Sequence, residues 1–235
     1  MCWSAGSDTV AGVVITAVSL IGLTQVRHRN DIALALLPVI LGVHQLIESQ
    51  VWRELSGGQA PGGWVVAWMV IALPLLPAYV PLAVIRAEGR REGVRRQLPF
   101  VGLGLAASAV LAWSMVASSD LHAVRSGASL DYELGGRGVI AAVPVTAAYG
   151  IAVIGCMLVT HDQPVRELGI AAGLGLLVTV VLFTTVFAST WCAEAAIVSL
   201  LVIRRVRTAP CGTRTTLTWH VVAAHLPRRL VRHAA

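Results

Sequence analysis

Residues 36–52 read LLPVILGVHQLIESQVW, and they place His44, Gln45 and Glu48 inside an apolar run long enough to cross a bilayer. A charged side chain at mid-membrane costs about 2.5–3.5 kcal/mol on insertion scales, so its presence there is a hypothesis about function. His44, Glu48 and Trp52 recur at i, i+4 and i+8, and Gln45 stands three before Glu48, so a helix can set all four on one face. A second carboxyl, Glu194, stands in the apolar stretch STWCAEAAI. A carboxyl group in dry apolar surroundings keeps its proton at neutral pH, ready to donate. Aromatic faces stabilise cations. Together these features suit the protonation of an alkene or epoxide, passage of a carbocation, and removal of a proton at the end.

The elements that must position these groups are membrane spans. Of 235 residues, 56% are hydrophobic and 13% charged, with a mean hydropathy of +0.75, against about 25% charged residues in soluble domains. The opening MCWSAGSDTV lacks the basic region of a signal peptide, so the first apolar run is expected to be kept as a span. Runs of spanning length fall at residues 10–26, 32–52, 63–85, 98–117, 138–160, 168–187 and 190–206. The last two form one run of 35 residues that is polar enough at Ala188-Ser189-Thr190 to turn, which gives seven helices, with six as the alternative.

Arginine placement tests this count, because cytoplasmic loops collect positive charge. With the N-terminus outside, 15 arginines fall on the inner side and three, Arg53, Arg125 and Arg137, outside. The expected fold is therefore all-α: an integral membrane bundle of seven transmembrane helices, N-terminus outside and C-terminus cytoplasmic. Residues 1–207 form the bundle and residues 208–235 a basic cytoplasmic tail, in a multi-pass protein of the cell membrane. The net charge of +6 follows from this topology and points to the lipid bilayer as partner, not to nucleic acid. All 18 basic residues are arginine, which excludes a retinal Schiff base, since that linkage needs a lysine.

Topology puts Glu48 and Glu194 at one level, each about one turn below the outer surface. Trp3, Trp52, Trp64, Trp68, Trp113 and Trp191 also fall in the outer half, and only Trp219 on the inner side. With Tyr149 and the pair Phe183 and Phe187, they suggest an aromatic-walled site for a lipophilic substrate. Each group also has a plainer reading: tryptophans anchor at interfaces, Glu48 can bond Gln45 or a neighbouring hydroxyl as helix glue, and Glu194 can simply be hydrated. The longest outer loop, residues 118–137, carries Asp120, His122, Asp131 and Glu133 and reads as a lid or as a solvated connection, the latter preferred.

Cys2 and Cys192 are both placed outside, where a disulfide can form, whereas Cys156 and Cys211 are placed inside. No pair has HExxH or CxxC spacing, so neither a metal nor a cofactor is expected. The sequence also lacks an Asp-rich magnesium motif, a GxSxG elbow and a phosphate-binding Gly loop.

The stretches MCWSA, LGVHQLIESQVW and STWCAEAA resemble those of small, mostly actinobacterial polytopic membrane proteins, a group that is identified with the membrane-bound cyclases of indole-sesquiterpenoid pathways. The chain is also similar in outline to seven-helix meroterpenoid cyclases, which use acidic residues in the second helix and near the seventh. The resemblance implies a terpenoid cyclase in which Glu48 donates the proton, His44 and Gln45 position it, and Glu194 is a partner acid or terminal base. Trp52, Trp113 and Trp191 would be cation-stabilising walls. The competing readings are a small-molecule-binding or proton-coupled transport protein and a structural membrane subunit. A carrier needs polar groups continuing inward, and there the sequence offers only scattered residues: Thr160, Ser199, Ser108 and Tyr79.

Overall fold

The computed structural model describes residues 4–58, 62–88, 91–118, 120–126, 129–135, 137–138, 143–182, 198–199 and 201–205. The first helix, α1 (Ala5–Leu23), starts five residues earlier than the hydropathy suggests, because the Ser4 hydroxyl accepts the Ser7 N–H and caps it. A short 3-10 turn, Arg29–Asp31, leads into α2 (Ile32–Ser56). The third span joins α3 (Gly63–Val70), a π-helical segment Ile71–Leu75, and α4 (Leu76–Ala87). Pro74 lies within the π segment and lacks an N–H, and the Ser108 hydroxyl of the next helix donates to its carbonyl at 2.6 Å. Then come α5 (Arg91–Ala117), a small sheet of β1 (Leu121–Ser126), β2 (Ser129–Leu134) and β3 (Arg137–Gly138), α6 (Val143–Leu158) and α7 (Gln163–Leu182).

Four segments, Ala5–Leu23, Arg29–Ser56, Gly63–Ala87 and Glu92–Ala117, are long and apolar enough to cross a membrane among the described residues, and Val143–Leu158 is a shorter apolar helix. Residues 198–199 and 201–205 are helical. The turn expected at Ser189 and the tail from 208 onward lie outside the described residues.

Glycine sets the helix contacts. Gly12 of α1 faces Leu46, and Gly42 of α2 faces Thr16, so any side chain at either position would strike the other helix. Gly104 of α5 lies against the Pro77 carbonyl of α4, whereas Gly102 meets open space. Gly104→Val is expected to cost about 1–3 kcal/mol through overpacking, measured as a lower thermal midpoint in detergent, with Gly102→Val near the parent.

Four layers follow one another along the bundle. The hairpin β1–β2 caps one end. Beneath it lies a cluster of Val51, Trp52, Val65, Trp68, Met69, Leu73, Leu111 and Met115 with the hairpin's Ala123, Leu130 and Tyr132. Next comes an apolar layer in which Leu34, Leu37 and Leu41 of α2 pack against α4, Val153 and Met157 of α6, and Leu168 of α7.

The opposite end is polar, contrary to the expectation of a few scattered groups. Buried Arg205 pairs with Asp31 at 2.9 Å and Asp162 at 2.7 Å, while Glu88 accepts the Thr160 hydroxyl at 2.8 Å and the His161 N–H at 3.1 Å. Gly93 leaves room for Glu88, where a Cβ would collide with its carboxyl, and Gln97 donates to the Cys156 carbonyl at 2.9 Å. Tyr79 is likewise engaged, its hydroxyl donating to the Ala33 carbonyl at 2.6 Å. These groups are brought together by the ends of α2, α4 and α6, which hydropathy treats as separate loops.

Candidate functional site

The polar face expected on α2 is present and buried. Glu48 and Ser49 are 0% exposed, Gln45 1%, Trp52 2% and His44 7%. Trp68 of α3 reaches the same level, because α2 runs toward the hairpin end and α3 runs away from it. Its indole N–H donates to Glu48 Oε2 at 3.3 Å. The Trp68 ring lies between two others: His44 at 4.8 Å between centroids and tilted by 33°, and Tyr132 of β2 stacked at 3.6 Å with 5° between planes.

Strand alternation explains how the hairpin supplies Tyr132. The pairing of Leu121 with Leu134, Ala123 with Tyr132 and Arg125 with Leu130 gathers these residues on one face, which packs over Trp68 and Trp52. The Arg125 guanidinium stands 5.5 Å from the Trp52 ring centroid, in cation–π range. On the opposite face His122 is held by Asp120 at 3.0 Å and Glu133 at 3.1 Å. The loop preferred as a solvated connection packs Ala123, Leu130 and Tyr132 onto the cluster and leaves Val124, Arg125 and Asp131 exposed. Tyr132→Ala removes the stack, worth about 0.5–1.5 kcal/mol beyond its buried area; hydrogen exchange across residues 121–134 is expected to quicken roughly tenfold.

Two polar atoms of the site, His44 Nδ1 and Trp52 Nε1, are buried without a hydrogen-bond partner among the described residues. Buried polar groups are nearly always satisfied, so such atoms mark places where a ligand atom can be met.

Three expected wall residues stand elsewhere. Trp113 is 72% exposed and Trp64 44% exposed, both on outward faces of their helices, and Tyr149 packs against the apolar middle layer. An apolar helix gives no direction to a tryptophan, so hydropathy alone could not orient them. Trp3, Trp191 and Glu194, with Cys2 and Cys192, lie outside the described residues.

Two contributors, Tyr132 and Ser49, go unnoticed in the sequence, as does the burial of Asp8 in α1. Alternation of Leu130, Tyr132 and Leu134 was the available signal for the first. A first span beginning at residue 10 leaves Asp8 outside it, whereas the structure has Asp8 in the first turn of α1 and 0% exposed. The signal for it was Ser4, a helix N-cap residue with an acid in the following turn.

The model of DUF6629, a family of unknown function, matches residues 1–218. The chain belongs to this family. No curated protein and no solved structure matches it. The family match runs through α2, the hairpin and Glu194 alike, so the whole arrangement is family territory and not an appended segment.

Chemically, the site offers a carboxyl group fixed by a neutral indole donor, an imidazole against the same indole, and stacked aromatic faces beneath the hairpin. Among the described residues no group of three His, Cys, Asp or Glu side chains is gathered as a metal site.

Proposed function

We propose that this protein is an integral membrane terpenoid cyclase, in which Glu48 protonates an epoxide or alkene of a prenylated lipophilic substrate and aromatic faces guide the carbocation. The observation that carries this reading is the setting of Glu48: wholly buried, bonded to Trp68, and roofed by the Trp68–Tyr132 stack. Trp52 is kept as a cation-stabilising face, with Trp68 and Tyr132 joining it in place of the exposed Trp113. His44 and Gln45 position the acid, and Glu194 is its partner in the last helix.

Seven spans with the hairpin end outside complete the proposal. The polar end carries Arg27, Arg29, Arg86, Arg95, Arg96 and Arg166, as a cytoplasmic face should. The apolar layer of Leu34, Leu37 and Leu41 separates Glu48 from the polar end, which disfavours a carrier. Substrate then enters from the bilayer side or the outer face.

The test is to incubate membranes containing the full chain with farnesyl and geranylgeranyl indoles, plain and terminally epoxidised. Cyclised isomers of unchanged mass are expected. If none of the substrates is cyclised, the assignment fails.

A further inference from the structure

Asp8 is the second wholly buried carboxyl of the hairpin end. The buried stripe of α1 is Asp8, Gly12, Ile15, Ser19 and Gly22, recurring at three and four residues, so Asp8 shares the face that Gly12 presses onto α2. The register of this antiparallel pair is fixed at three points. Arg53 Nη2 donates to Thr9 Oγ1 at 3.1 Å, Gly12 meets Leu46, and Thr16 meets Gly42. Gly12 with Leu46 and Thr16 with Gly42 continue to Asp8 opposite Gln50, in the turn of α2 that also holds Trp52 and about half a turn beyond Glu48. Ala5, one turn before Asp8, packs on the cluster that contains Trp52 and Tyr132. In this same turn the Trp52 indole N–H is 2% exposed and finds no acceptor among the described residues.

We infer that Asp8 is a catalytic residue of this site, the base that ends the reaction. The inference rests on the cyclase reading. Glu48 gives its proton to the epoxide oxygen; the C–O bond breaks as an alkene pair forms the new C–C bond. The last cation loses a C–H proton to the Asp8 carboxylate, and the C–H electrons become the product double bond. One proton enters and one leaves, so no oxidant or reductant is consumed. Two carboxyls on different helices, about half a turn apart in depth, separate the start of the cascade from its end.

The experiment compares the parent with Asp8→Asn and Asp8→Glu in membranes supplied with terminally epoxidised farnesyl indole, measuring substrate loss and product identity separately. In Asp8→Asn, the share of consumed substrate that ends as the parent alkene is expected to fall at least tenfold. Isomeric alkenes or a water-quenched tertiary alcohol replace it. Asp8→Glu keeps a carboxylate and is expected to keep the parent alkene as a product with an altered isomer ratio. If Asp8→Asn gives the parent product ratio at the parent rate, the inference is overturned. It is equally overturned if substrate loss and alkene fall together in correctly inserted protein, since that is the behaviour of a structural group. Should Asp8→Asn fail to accumulate, an unchanged isomer ratio in Asp8→Glu overturns it. Absence of cyclisation by the parent instead removes the cyclase reading itself.

Discussion

Arg205→Met is expected to destabilise the bundle by about 3–5 kcal/mol, the usual consequence of removing one member of a buried ion cluster. The variant leaves Asp31 and Asp162, 2% and 10% exposed in their side chains, without the guanidinium that each meets within 3 Å. Two buried carboxylates that shared one guanidinium then lose that contact together. The Asp31–Arg205–Asp162 cluster joins the start of α2, the turn between α6 and α7, and the helical residues 201–205. Its loss therefore loosens three elements at once. The readout is the thermal midpoint of detergent-solubilised protein, together with the fraction that remains monodisperse. A companion variant, Arg205→Met with Asp31→Asn and Asp162→Asn, removes the charges together and is expected to regain a large part of the loss. If Arg205→Met unfolds at the parent temperature, the cluster is not what holds this end.

This cluster was illegible in the sequence for a definite reason. Asp31, Glu88, Asp162 and Arg205 each stand at the end of an apolar run, where a charge reads as a loop residue facing water. Only the assembly of four helix ends encloses them. The α2 face was legible because His44, Gln45, Glu48 and Trp52 stand out at helical spacing against an apolar background. Trp68 was counted among the tryptophans of the outer half, but its bond to Glu48 depends on the antiparallel run of α3 beside α2. Tyr132 required the hairpin register, in which it opposes Ala123. Trp113 shows the opposite limit: it was assigned to the site by depth, and depth does not tell which way a side chain points around an apolar helix.

Replacing Glu48 by glutamine is expected to have the largest effect on activity. The amide has nearly the shape of the carboxyl and its oxygen still accepts the Trp68 N–H, so the packing of α2, α3 and the hairpin should survive. What it lacks is an acidic O–H. General acid groups contribute about 10²–10⁴-fold to rate, so cyclisation should fall at least about 100-fold with stability near the parent. Glu48→Asp keeps the acid but draws it back by one methylene from Trp68 Nε1, and an intermediate rate is expected.

The most direct measurement is the initial rate at which membranes with equal amounts of parent or Glu48→Gln protein convert terminally epoxidised farnesyl indole to a cyclised isomer of unchanged mass. Turnover by the parent and a loss of at least about 100-fold in the variant are expected. Equal rates in the two, or no cyclised isomer from the parent, would contradict Glu48 as the acid of a cyclase.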